Sequence, residues 1–177
     1  MERTVQGVRI ECISGDIAGQ QGFDAVVNAA NAELRPGGGV AGAIHRAAGP
    51  ELDRACRSLA PIRPGDAVLT PAFDLPNDWV IHCLGPVHGR DEPADELLSQ
   101  CYRHALERAE EKGLASIAFP ALSTGAFGFP LEEAANIALG TIVDEAPRLQ
   151  SVHHIRFVLY SQSDAEVHEH VLERLTD

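Results

Sequence analysis

The spacing of apolar residues predicts short strands distributed along the whole chain. Val8, Ile10 and Cys12 alternate with polar residues, which is the two-residue period of a strand. Short runs rich in β-branched, aromatic and other apolar residues predict five further strands, over 23–27, 66–71, 79–84, 115–119 and 155–160.

Helices are predicted where apolar residues recur every three or four positions. Two long stretches, 41–58 and 94–112, show this spacing, and Gly113 ends the second as a typical residue after a helix. We expect Pro130 to be the first residue of a third helix and Asp164 to cap a fourth. Strands that alternate with helices predict an α/β layered sheet, and 177 residues suit a single domain over 1–177.

Two glycine-rich loops are the strongest sign of function. The segments 36–45 and 123–130 each lie between a predicted strand and a predicted helix. Glycines let the backbone approach a ligand and point several N–H donors at it, and a helix start adds partial positive charge. Two such loops can hold a pyrophosphate from both sides without a lysine. The sequence therefore predicts a nucleotide-diphosphate site.

Charge and composition exclude several other classes. The formal net charge is −12, whereas a protein that tracks nucleic-acid phosphates normally carries the opposite sign. Lys112 is the only lysine, so no phosphate loop of the Walker type is present. The chain has no apolar run that could span a bilayer. Its first residues are polar, unlike a signal peptide, and its four cysteines are scattered. We expect a cytoplasmic protein with reduced thiols and neither a nucleic-acid nor a membrane partner.

Three alternative interpretations have weaker support. Residues 37–42 fit the G-x-G-x-x-G motif of dinucleotide-binding folds, but 28–36 separate them from the preceding strand. Residues 121–125 resemble the nucleophile elbow of serine hydrolases, but the next helix is predicted to begin only at Pro130. The eight histidines lack metal-ligand spacing. We therefore predict no metal site and no cofactor.

Three polar side chains at predicted strand ends are candidate ligand contacts. Asp16 could accept a hydrogen bond from an exocyclic amine, or it could only bond its own turn. The amides of Asn28 and Asn31 could bind sugar hydroxyls at the edge where α/β sheets hold ligands, or they could be paired turn residues. Both interpretations stay open at this point.

Taken together, the motifs resemble the macrodomain family, most closely its MacroD-like branch. They stand in the family's order across nearly the whole chain: Gly15-Asp16-Ile17, 24–31, 37–40, 43–49, 80–82 with Gly85-Pro86, and 120–125 with Phe127-Gly128. The resemblance implies a three-layer α/β/α sandwich with a central mixed sheet. It also implies an ADP-ribose site in a crevice at the strand ends.

The resemblance assigns a place to each candidate residue. Asp16 and Ile17 would contact the adenine, and Tyr160 would cover its ring. Asn31 and Phe127 would flank the distal ribose, with Asn28 nearby. The two loops would hold the pyrophosphate through Gly38, Gly39, Val40, Ala41, Ser123, Thr124, Gly125, Ala126 and Phe127.

One departure from the family pattern concerns catalysis. MacroD-like hydrolases usually carry an aspartate after the Gly-Gly-Gly-Val segment, and this chain has Ala41. His45 lies one helical turn further on, on the same helix face as Ala41, where it could position water or polarise a ribose hydroxyl, or could only pack inside the helix. Asn31 and His45 are the catalytic candidates. The resemblance implies hydrolysis of ADP-ribosyl esters, with O-acetyl-ADP-ribose or mono-ADP-ribosylated proteins as substrates. A non-catalytic reader of ADP-ribose is the alternative.

Overall fold

A seven-stranded mixed sheet runs through the middle of the computed structural model, which describes residues 1–177. Its strands lie in the order β1-β2-β7-β6-β3-β5-β4. The inner strands are parallel, and the pairs at the two edges, β1 with β2 and β4 with β5, are antiparallel. The strands are β1 (Glu2–Val5), β2 (Val8–Ser14), β3 (Ala25–Ala29), β4 (Ala67–Pro71), β5 (Trp79–Cys83), β6 (Ser116–Phe119) and β7 (His154–Leu159).

Helices cover both faces of the sheet, as the parallel inner strands require. They are α1 (Gly39–Ala48), α2 (Pro50–Cys56), α3 (Ala94–Glu111), α4 (Leu131–Glu145) and α5 (Gln162–Thr176). One apolar cluster of 33 buried residues joins α3, α4 and α5 to the sheet, and a second of 16 joins α1 and α2 to the opposite face. The predicted three-layer α/β/α sandwich is confirmed. None of the helices combines the length and the apolar character that a membrane span needs.

The single helix predicted over 41–58 is wrong, because the chain breaks there. α1 ends at Ala48, and Gly49 adopts a φ of 88°, a conformation that favours glycine. Pro50 then begins α2 at a position where its missing N–H costs nothing. The apolar spacing continues across the break, so periodicity alone could not reveal it.

Two helix starts also differ from the prediction. Pro130 precedes α4 instead of forming its first residue. The cap of α5 is Ser161, whose Oγ accepts a hydrogen bond of 3.1 Å from the backbone N–H of Asp164. Asp164 therefore lies in the first turn, where its charge still suits the positive end of the helix.

Strand β1 was not predicted. It pairs with β2 through a tight turn at Gln6 and Gly7, whose φ angles are 50° and 81°. A turn with two positive φ angles is typical of antiparallel hairpins, but its first position is usually Asn, Asp or Gly. Gln6 at this position therefore did not indicate a hairpin.

The topology collects the ends of several strands at one edge. Because β2, β3, β6 and β7 run parallel, the segments that follow them meet at the same side of the sheet. These segments contain Asp16, Asn31, the second glycine loop and Tyr160. Ligands in α/β proteins bind in the crevice at this edge.

Candidate functional site

Two adjoining cavities lie at the carboxyl edge of the sheet. The first has a volume of about 430 Å³ and lies between 29–31, 37–41 and 121–127. The second has a volume of about 550 Å³ and lies beside 15–17 and 158–164. Both are lined by Gly39, Val40, Ala121 and Gly125, so they form one continuous cleft.

The two glycine loops face this cleft with backbone donors. None of the N–H groups of residues 37–41 or 123–127 donates to an acceptor within the protein. The first group includes the start of α1, where Gly38 provides no side-chain cap. Free N–H groups and a helix start favour an anion, and no lysine or arginine lines either cavity. An anionic ligand here would be held by the backbone alone.

The first loop keeps its shape through Gly42. A Cβ atom at Gly42 would lie 2.3 Å from the carbonyl oxygen of Gly37, closer than any side chain tolerates. The N–H of Gly42 also donates to the carbonyl of Gly38 at 3.3 Å. The glycine at this position is therefore a packing requirement of the loop.

The second loop turns sharply at Ser123, which has a φ of 66°. This left-handed conformation is uncommon for a residue with a side chain. The carbonyl of Ser123 accepts a hydrogen bond from the N–H of Phe129 at 2.8 Å. The Oγ of Ser123 packs against Gly85, where a Cβ atom would lie only 2.0 Å from it. The buried Oγ has no hydrogen-bond partner in the protein, so no base activates it as a nucleophile.

The second cavity combines a carboxylate with an exposed aromatic ring. Asp16 Oδ1 accepts from the N–H of Ala18 at 3.0 Å, so Asp16 has the predicted turn role. Asp16 nevertheless lines the cavity, and its Oδ2 has no hydrogen-bond partner in the protein. Ile17 and Val158 also line this cavity, and Tyr160 stands at its side with 96% of its surface exposed.

A network of polar side chains holds the Asp16 turn in place. The sequence did not predict this network. Gln20 Nε2 donates to the carbonyl of Asp16 at 2.7 Å, and Arg156 Nη1 donates to Gln20 Oε1 at 3.0 Å. Arg156 Nε in turn donates to Glu11 Oε1 at 2.9 Å. These residues come from three separate segments, so no local pattern links them.

Asn31 lines the first cavity, and its side chain closes the following turn. Oδ1 accepts from the N–H of Arg35 at 2.9 Å, and Nδ2 donates to the carbonyl of Arg35 at 2.8 Å. An amide has two donor hydrogens and two acceptor lone pairs, so one of each remains for a ligand.

Comparison with known proteins identifies the family. The Macro domain family model matches residues 27–138. The chain is 44% identical over 174 residues to the O-acetyl-ADP-ribose deacetylase of Salmonella typhimurium, covering 96% of this chain and 97% of the relative. The chain belongs to the Macro domain family.

Solved macrodomains share the whole architecture. The Oceanobacillus iheyensis macrodomain with ADP superposes with a TM-score of 0.95 at 39% identity, covering 99% of this chain and 95% of that one. The Trypanosoma brucei macrodomain in complex with ADP-ribose gives a TM-score of 0.83 at 37% identity, with coverage of 91% and 68%.

Most of the predicted ligand contacts of this macrodomain lie in the cleft. The residues that line it are Asp16, Ile17, Asn31, Gly38, Gly39, Val40, Ala41, Ser123, Thr124, Gly125, Ala126, Phe127 and Tyr160. Asn28 and His45 are the two predicted site residues outside the lining. No group of three or more His, Cys, Asp or Glu side chains in this macrodomain is placed to hold a metal ion.

Asn28 belongs to a buried polar chain across three strands. Its Nδ2 donates to His82 Nδ1 at 3.0 Å, and His82 Nε2 lies 2.9 Å from Thr70 Oγ1. Burial lowers the pKa of His82 to about 3, so its ring is neutral and Nε2 carries the proton. Asn28 Oδ1 is buried without a partner in the protein. A contact between Asn28 and the distal ribose stays a prediction.

His45 points into the interior of the macrodomain. Its ring is buried, neither nitrogen has a partner in the protein, and burial lowers its pKa. Ala41, one turn earlier on α1, does line the first cavity. The prediction placed both residues on one helix face, but their side chains reach different surroundings. A catalytic role for His45 stays a prediction, and this geometry gives it no support.

Proposed function

We propose that this macrodomain binds ADP-ribose along the cleft and hydrolyses ADP-ribosyl esters such as O-acetyl-ADP-ribose. The observation that carries the proposal is the pair of loops, 37–41 and 123–127, which line the cleft, leave their N–H groups without a partner in the protein and bring no basic side chain to it. The full-length likeness to the Salmonella deacetylase supports the reaction, and the ligand-bound neighbours support the ligand.

The cleft has a place for each part of the ligand. The second cavity would receive the adenine, with Asp16 Oδ2 accepting from its amine and Tyr160 against its ring. The diphosphate would lie between the two loops, where Gly39 and Gly125 line both cavities. The distal ribose would then occupy the first cavity beside Asn31 and Phe127.

Hydrolysis here would proceed without a side-chain base. Water attacks the acyl carbon and forms a new C–O bond, the ester C–O bond breaks, and the ribose oxygen leaves with a proton. Asn31 and Ser123 provide the only polar side chains in the first cavity, because Ala41 stands where a carboxylate is usual. The substrate's own phosphate and the loop backbone would orient the water. A general base typically contributes about 10²–10⁴-fold, so we expect a slow enzyme.

A single-turnover assay with O-acetyl-ADP-ribose in the presence of EDTA tests the reaction. We expect the wild type to release ADP-ribose above the enzyme-free control. Asn31→Ala should lower the rate, because it removes the amide at the distal ribose. Ala41→Asp should keep or raise the rate, because it adds a carboxylate that can orient water. Tight ADP-ribose binding without ester cleavage would show that the protein is a reader.

The reader is the second candidate function, and Ala41 is the observation that favours it. For either function we propose mono-ADP-ribosylated proteins as binding partners, with no nucleic acid or membrane among them. We also propose that 1–177 forms one domain and that the protein is cytoplasmic. The four free, buried cysteines support that location because they suit a reducing compartment.

A further inference from the structure

Basic charge is concentrated next to the first cavity. Between residues 31 and 65 there are five arginines and three acidic residues, although the whole chain has a net charge of −12. The rest of the chain therefore carries a larger negative net charge than the whole chain does. This segment contains the first glycine loop, α1 and α2.

Two arginines of this segment share one carboxylate. Arg35 Nε lies 2.9 Å from Asp53 Oδ1, and Arg57 Nη2 lies 3.3 Å from Asp53 Oδ2. The arginine side chains are 59% and 65% exposed, whereas Asp53 is only 16% exposed. One carboxylate cannot neutralise two guanidinium groups, so the pair presents uncompensated positive charge to solvent.

Arg46 adds a third charge next to the first glycine loop. It is exposed and has no carboxylate within 4.0 Å. A Cβ atom added at Gly42 would lie 3.0 Å from Arg46 Nη1, so the guanidinium group is next to Gly42. Gly42 in turn packs against the carbonyl of Gly37. Gly37 itself lines the first cavity.

Arg35 lies next to the first cavity, because its backbone forms both hydrogen bonds of the Asn31 side chain and Asn31 lines that cavity. Arg35 and Arg46 therefore lie next to residues of the first cavity's lining, and Arg57 joins Arg35 through their shared carboxylate, Asp53. These three residues are here called the arginine rim.

We propose that the arginine rim binds acidic residues that flank an ADP-ribosylated glutamate or aspartate in a protein substrate. The inference rests on the proposed function, because it assumes that the distal ribose and its acyl group lie in the first cavity. A short acidic peptide that leaves this cavity meets the rim at once. A nucleic acid would extend beyond the rim onto the acidic remainder of the surface, where it would be repelled.

The test uses two peptides that each carry one mono-ADP-ribosylated glutamate, flanked either by aspartates or by serines. Exposed ion pairs contribute modestly, so we expect kcat/KM to be about five- to ten-fold higher for the acidic peptide. The preference should shrink towards one at about 0.5 M salt because of screening. If the peptides are bound without cleavage, the same ratio is measured as Kd.

Variants identify the surface that gives the preference. Arg46→Gln and the double variant Arg35→Gln/Arg57→Gln should each lower it while leaving the affinity for free ADP-ribose within about two-fold. Arg148→Gln is the control, because Arg148 is exposed, pairs with Glu145 and precedes β7, at the amino-terminal end of the parallel strands and thus opposite the cleft. It should leave the preference unchanged.

Each remaining outcome overturns the inference separately from the function. Equal kcat/KM or Kd for the two peptides contradicts it, even if O-acetyl-ADP-ribose is cleaved. A preference that is undiminished both in Arg46→Gln and in the double variant also contradicts it. Arg46-dependent binding of a single-stranded oligonucleotide, without a peptide preference, would make the rim a nucleic-acid surface instead. Failure of the proposed function is distinguished by the absence of cleavage of O-acetyl-ADP-ribose.

Discussion

A single residue, Asp16, combines a structural task with a proposed binding task. One carboxylate oxygen caps the turn at Ala18, the other has no protein partner, and the residue lines the second cavity. The two interpretations that the sequence left open are therefore compatible. The turn holds the carboxylate in place, and Gln20 holds the turn.

The Asp16→Ala variant should bind ADP-ribose at least about ten-fold more weakly. A hydrogen bond to a charged acceptor contributes about 1.5–3 kcal/mol, which corresponds to roughly a ten- to hundred-fold change in Kd. Calorimetry on the folded variant measures the effect.

The Asp16→Asn variant separates the two tasks of Asp16. Its amide oxygen can still accept from Ala18, but its nitrogen would face the adenine amine, and both are donors. We expect it to bind weakly while keeping wild-type thermal stability. Wild-type affinity in Asp16→Asn together with weak binding in Asp16→Ala would reduce Asp16 to a turn residue.

Local residue patterns predicted that the glycine loops, Asp16 and Asn31 lie at the cleft, because each of these motifs consists of residues close together in the chain. They could not predict the His82 partner of Asn28 or the Arg156 partner of Gln20, which come from other strands. They also placed His45 near the ligand, because helical spacing predicts which residues share a helix face but not what each side chain on that face contacts.

At the scale of elements, the site is made by two loop-to-helix connections. The N–H groups that begin α1 remain free because glycine supplies no side-chain cap, and the second loop is held open by the turn at Ser123. Sequence patterns predicted six of the seven strands to within a few residues. They missed the break at Gly49, since the apolar stripe continues through it.

The loops should lose their ligand when a carboxylate is introduced. Neither Gly38 nor Gly125 has a positive φ, and a Cβ at either position meets open space, so Gly38→Glu and Gly125→Glu should fold normally. Each puts a negative charge and bulk where phosphate would lie. We expect the affinity for ADP-ribose to fall by more than about ten-fold by calorimetry, with an unchanged circular dichroism spectrum.

Gly140→Glu is the control for the loop variants. Gly140 lies within α4, has no positive φ, and a Cβ there also meets open space. Its affinity should remain at the wild-type value. Equal losses in all three variants would point to a general effect of added charge, and wild-type affinity in Gly38→Glu or Gly125→Glu would exclude that loop as a phosphate site.

At the scale of the whole molecule, an acidic protein binds an anion by local means. The net charge of −12 repels phosphate at long range, while two sets of backbone donors attract it at short range. The cleft is long because the parallel strands bring four connecting segments to one edge. Its two cavities are the places that we propose for the adenine at one end of the ligand and the distal ribose at the other.

Calorimetric comparison of ADP-ribose with AMP tests this account most directly. AMP can fill the second cavity, but it lacks the second phosphate and the distal ribose that would engage both loops and the first cavity. We predict that ADP-ribose binds at least about ten-fold more tightly than AMP, a difference of about 1.4 kcal/mol or more. Equal affinities would show that the first cavity and the paired loops do not bind the ligand, and would contradict the account.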